Sequence, residues 1–108
     1  MTRDEILGLS GMGLDAKVSE HVMGLDPLYH TTFCGLTGTY NGRRYSTDPS
    51  LLEVILDRMI ALGYDPLLDH ADDGWMVTFR KGNKDVAPVM SKGLLEAVCK
   101  CSLLAVGA

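Results

Sequence analysis

Residues 69–90, DHADDGWMVTFRKGNKDVAPVM, carry two turn signals, Asp73-Gly74 and Gly82-Asn83, between runs rich in aromatic and β-branched residues. Dipeptides of this kind supply the positive-φ positions that tight β-hairpins need, and the flanking residues suit a pleated, half-buried surface. With the run before them they predict three antiparallel strands, Tyr64–His70, Trp75–Lys81 and Lys84–Met90.

A two-residue turn at Asp73-Gly74 sets Asp72 opposite Trp75, His70 opposite Val77 and Leu68 opposite Phe79. The second turn sets Phe79 opposite Val86, Val77 opposite Pro88 and Trp75 opposite Met90. Side chains alternate between faces, so one face carries Leu68, His70, Trp75, Val77, Phe79, Val86, Pro88 and Met90 and should lie under helices. The other carries Asp69, Ala71, Met76, Thr78, Arg80, Asp85, Ala87 and Val89, with Arg80 and Asp85 placed as a cross-strand ion pair. That second face is more apolar than a solvated face requires, so cover from the N-terminal helices or another subunit is expected. Pro88 has no N–H to give and belongs at a sheet edge.

The same segment has the composition of an acid–base or metal centre, with His70 among Asp69, Asp72 and Asp73 beside the chain's one tryptophan. In the hairpin register the carboxylates do not converge on the imidazole. A general base needs a reacting group within reach and a neighbour to orient it, and neither is evident. The expectation is a structural histidine in or at the rim of the apolar face. A three-residue loop would move it to the other side.

Helices are expected around this sheet. Thr2 and Glu5 have capping-box spacing, with Met1 able to staple onto Ile6, and Gly11 and Gly13 keep that first helix short. Leu14, Val18 and Val22 form one stripe of a helix over 14–23 that Gly24 can end. In STDPSLLEVILDRMIALG (46–63), Asp48 and Pro49 supply a cap and a first-turn proline, and Ser50 with Glu53 offers a competing capping box. Leu52, Ile55, Leu56, Met59 and Ile60 make its apolar stripe. A last helix runs from Lys92 to about Val106, with Leu94, Leu95, Val98 and Leu103 apolar. Residues 26–46 are the least helical. Asn41-Gly42 predicts a hairpin turn among short extended pieces, as a projecting arm or a long loop.

At 108 residues, 46% hydrophobic and 22% charged, the chain is expected to form one globular domain. A net charge of −4 argues against non-specific nucleic-acid binding. No apolar run approaches the ~18 residues that cross a bilayer, and the N-terminus has no secretory pattern. Three cysteines without framework spacing point to a reduced, cytoplasmic protein. Cys99 and Cys101 lie two apart on a helix and diverge, so they do not chelate one ion together, and neither metal nor cofactor is expected. The phosphate-loop, dinucleotide-fold and nucleophile-elbow motifs are absent, and an enzyme is not expected.

Arg43-Arg44-Tyr45-Ser46-Thr47 is the segment that suggests binding. Two arginines, a tyrosine and two hydroxyls precede a helix start, where free N–H groups and the helix dipole favour an anion. Tyr40, Tyr45 and Tyr29 could stack on a base. Against this, Asp48 already caps the helix and the arginines can simply be solvated. The candidate ligand-binding set is therefore Tyr40, Arg43, Arg44, Tyr45, Ser46 and Thr47.

Four stretches in order, LDAKVSEHVMG (14–24), YSTDPSLLEVILDRM (45–59), DGWMVTF (73–79) and LLEAVCKCSLLAV (94–106), resemble the phage ABA sandwich domain family. Pro49 stands where that family usually has an apolar residue, and 26–44 is the least similar stretch. The resemblance implies an α+β fold of α-β-α layers in a small phage protein, and it brings no catalytic residues. It suggests a homo-oligomeric accessory protein that sequesters a small nucleotide-derived host immune signal. The alternative is a module that binds a host or phage protein.

Overall fold

The computed structural model describes residues 1–24, 30–33, 36–39 and 43–108, with the two stretches between 30 and 39 described as backbone. It is an α+β fold in which an open antiparallel sheet packs on helices. The elements are α1 (Arg3–Leu7), α2 (Gly11–Lys17), β1 (His30–Phe33), β2 (Leu36–Thr39), α3 (Leu52–Ala61), β3 (Asp65–Ala71), β4 (Gly74–Lys81), β5 (Lys84–Asp85), β6 (Val89–Ser91) and α4 (Leu94–Ala105).

The N-terminal capping box forms at the spacing of its residues. Thr2 accepts from the Glu5 N–H and the Glu5 carboxylate accepts from the Thr2 N–H, closing the capping box of α1. Gly11 and Gly13 fall within the first turn of α2 rather than in a gap. The helix continues as a π-helical turn over Val18–Val22, where the Met23 N–H reaches the Val18 carbonyl at 3.0 Å. Gly24, at φ +62°, ends it. Leu14, Val18 and Val22 are fully buried, as their spacing predicts. Before α3, Asp48 wins the competition for the cap: its carboxylate accepts from the Ser50 N–H and hydroxyl, and a 3-10 turn over Pro49–Leu51 leads in.

The four-stranded sheet has β4 at its centre, with β3 on one side and β5 and β6 along the other. In the first hairpin Ala71 pairs with Gly74, His70 with Trp75 and Leu68 with Val77. The turn is therefore Asp72-Asp73 and not Asp73-Gly74. This slip of two positions preserves parity, so Leu68, His70, Trp75, Val77 and Phe79 do share a face. Gly74 is fixed there for a reason. Its φ is +130°, and a Cβ would lie 2.5 Å from the Ser91 carbonyl oxygen.

The last predicted strand is broken. Arg80 pairs with Asp85, and the Val86 N–H bonds the Phe79 carbonyl at 2.9 Å, as expected. Further on, Val77 pairs with Val89 and Met76 with Met90. Ala87 and Pro88 together thus lie across from Thr78, an insertion of one residue that turns β6 over. Val89 is 1% exposed in the core, and Met90 is 53% exposed on the opposite face. The expected places of these two residues are exchanged. Within residues 26–46, β1 pairs with β2 from His30–Thr39 to Phe33–Leu36, and the turn expected at Asn41-Gly42 lies outside the described residues. The β1–β2 pair lies against α2.

Helix α4 packs on β4 and β6, and α1, α2 and α3 pack on α4. Residues Ala97 to Leu103 are consecutively buried, so α4 is covered all round and lies between the sheet and the other helices. Small side chains at Ala97, Cys99, Cys101 and Ser102 permit that close double approach. Its one buried charge, Lys100, donates to the Leu7 carbonyl at 2.7 Å and to Glu96 at 2.6 Å, ending α1 against α4. Among the described residues the outer sheet face has no comparable cover: Leu67 is 43% exposed, Met90 lies open and Met76 is half-buried.

Candidate functional site

A deep bond anchors the segment from Arg43 to Thr47. Asp15, buried in α2, accepts the Ser46 backbone N–H at 2.7 Å. The carboxylate is taken out of water here, and the Ser46 N–H replaces part of its hydration. Beside it, Thr47 and Asp48 donate their N–H groups to the Arg44 carbonyl at 3.1 and 2.8 Å, closing a compact turn.

This turn forms one wall of a groove of about 440 Å³. Ser46, Thr47 and Pro49 line one side, and Gly93, Leu94 and Glu96 the other. Helix α4 begins here with Gly93 at its N-cap and no side chain capping it. The N–H groups of a first helical turn have no partner within the helix and carry the positive end of its dipole. Glu96 in the same turn moderates that field, although its carboxylate is bonded to Lys100. The Ser46 hydroxyl is buried and has no hydrogen-bond partner among the described residues.

The candidate residues are thus divided. Ser46 and Thr47 line the groove, and Arg43 and Arg44 are exposed on the segment that leads into it. Tyr45 is a correction. It is fully buried and among the largest core side chains, so its ring has no face to offer a ligand. Tyr40 and Tyr29 lie outside the described residues. The helix start that matters is also a different one. The start of α3 is occupied by Asp48, whose pKa is lowered by hydrogen bonds from the Ser50 hydroxyl and N–H. The open start belongs to α4, and only tertiary packing brings it beside Ser46.

The DHADDGW segment is the tip of the first hairpin, with Asp69–Ala71 ending β3, Asp72-Asp73 turning and Gly74-Trp75 opening β4. His70 is exposed at the sheet rim and lies against Trp75, ring centroids 4.7 Å apart. Among the described residues no group of three or more His, Cys, Asp or Glu side chains converges as a metal site would require. Burial raises the Cys99 thiol far above its ordinary range and the Cys101 thiol to about 11, which makes both poor nucleophiles. Among the described residues no helix is long and apolar enough to cross a membrane.

Comparison with family models, curated proteins and solved structures finds no match to this chain. The likeness to the ABA sandwich domains stands on the four sequence motifs alone.

Proposed function

We propose that this protein is a non-catalytic binder of a small anionic, phosphate-bearing molecule, held in the groove between Ser46-Thr47 and the first turn of α4. What carries this reading is the uncapped α4 start opening beside two hydroxyls, one of them buried with no hydrogen-bond partner among the described residues. Backbone N–H groups and the helix dipole suit a phosphate, and Arg44 on the approach adds charge. That the ligand is a nucleotide-derived immune signal in the host cytoplasm, sequestered by a homo-oligomer, rests on the family resemblance. With Tyr45 in the core, a base would have to stack elsewhere or remain in solvent.

Calorimetric titration with inorganic phosphate and with adenosine monophosphate tests the site. Saturable binding that is lost in Arg44→Ala with Ser46→Ala supports it. Absence of binding for both probes, or equal binding by the double variant, rejects it. One observation favours a second reading, a protein partner on the outer sheet face: Leu67 and Met90 are exposed there beside half-buried Met76.

A further inference from the structure

A second cavity, away from the α4 start, combines an apolar floor with a doubly cationic rim. It measures about 300 Å³ and is lined by Tyr64, Lys81, Lys84, Asp85, Val86 and Ala105. Its floor is rigidly held. The Tyr64 hydroxyl donates to the Ala105 carbonyl at 2.9 Å, and the Tyr64 ring meets Phe79 edge-on with centroids 6.4 Å apart.

The rim is unusual in its charge. Lys81 and Lys84 pair directly across the β4–β5 ladder. Like charges in that position repel, and a hairpin stabilised only for its own sake would not place them so. The carboxylate at hand is already committed, because Asp85 takes Arg80 in two hydrogen bonds of 2.6 and 3.3 Å. Among the described residues neither Lys81 nor Lys84 forms an ion pair. Lys81 instead rests its ammonium 5.1 Å over the Tyr64 ring, its stem lying across Gly63. A cation held over a ring beside a second cation is available to an anion.

We propose that this cavity binds a small monocarboxylate with an apolar body, of the size of a medium-chain fatty acid. The apolar portion covers Tyr64, Val86 and Ala105, and the carboxylate bridges Lys81 and Lys84, relieving their repulsion. A phosphate dianion fits less well. Among the described lining residues no side-chain donor beyond the two ammonium groups is available to replace its hydration, since the Tyr64 hydroxyl is used by Ala105. The volume lies at the lower end for ligand pockets, which favours a short chain.

The test is a titration of the full chain with octanoate, followed by amide NMR. The expected result is saturable shifts at Tyr64, Lys84, Val86 and Ala105, with acetate, octanol and octylammonium each binding more weakly. Lys81→Gln with Lys84→Gln should weaken octanoate about tenfold. Lys84→Gln, which touches no ring, carries the test alone if the Lys81 change disturbs the hairpin, with a loss of about threefold. Octylammonium binding as tightly as octanoate would overturn the proposal. So would shifts that fail to saturate or fall elsewhere, or unchanged affinity in the variants.

Discussion

Arg3 donates from its guanidinium to the Pro88 carbonyl at 2.8 Å and to the Ala87 carbonyl at 3.4 Å, so the first helix closes the bulge that turns β6 over. A proline has no ladder N–H, and the inserted residue turns these carbonyls away from β4. A charged, forked donor on α1 then satisfies both. Replacing Arg3 with Ala should cost about 1 kcal/mol and speed amide exchange at Val89 and Met90 selectively. Unchanged exchange in β6 would show that the bulge holds without this bond.

The bulge decides which of two neighbouring residues is core. Val89→Ala should destabilise by about 1–3 kcal/mol, through lost apolar contact and the cavity left beneath α4. Met90→Thr, on the outer face, should stay within about 0.5 kcal/mol of the parent. Urea denaturation of the two variants separates the registers, because a straight continuation of β5 would reverse the order.

Gly74 should tolerate no side chain. A Cβ would lie 2.5 Å from the Ser91 oxygen and 2.9 Å from the Lys92 Cα, at a φ of +130°. Strain and clash together predict a loss of about 2–4 kcal/mol for Gly74→Ala. Gly82, at φ +63° with open space around it, should lose about 1 kcal/mol on the same change. Thermal melts of the two variants give the comparison directly.

The buried bond from Ser46 to Asp15 predicts a link between stability and the groove. Asp15→Ala leaves the Ser46 N–H without its acceptor and should cost about 2–3 kcal/mol, with amide shifts spreading to Thr47 and Leu94. Asp15→Asn keeps an acceptor oxygen and should cost about half as much. Equal losses would mean that this bond does not set the stability of the segment.

Acid should weaken two surface contacts in the same range. Asp85 titrates below its ordinary 3.8, chiefly through the hydrogen bond from Arg80, and Asp48 does so through the Ser50 hydroxyl and N–H. A carboxylate whose folded pKa is depressed stabilises the fold above its unfolded pKa. That contribution fades as pH falls below about 4 and is gone once the folded pKa is passed. Carboxyl-carbon NMR titration should show both midpoints below 3.8, and Arg80→Gln should return Asp85 alone towards that value.

Local chemistry explains what was legible in the residues themselves. The Thr2–Glu5 box, the Asp48-Pro49 start, the Leu14–Val18–Val22 stripe and the Arg80–Asp85 pair each depend on partners a few residues apart, and sequence spacing reports such pairs. Parity in the first hairpin survived even a misplaced turn, because a slip of two leaves every side chain on its own face. Long-range packing decided the rest. Whether Val89 or Met90 entered the core depended on a one-residue bulge held by Arg3, and nothing within 84–91 announces a partner on α1. Helix α4 is buried on all sides because the sheet and three helices share it, which its own periodicity does not encode. Ser46 meets the open start of α4 because Asp15 anchors the intervening chain, so the groove exists only where segments remote in sequence converge.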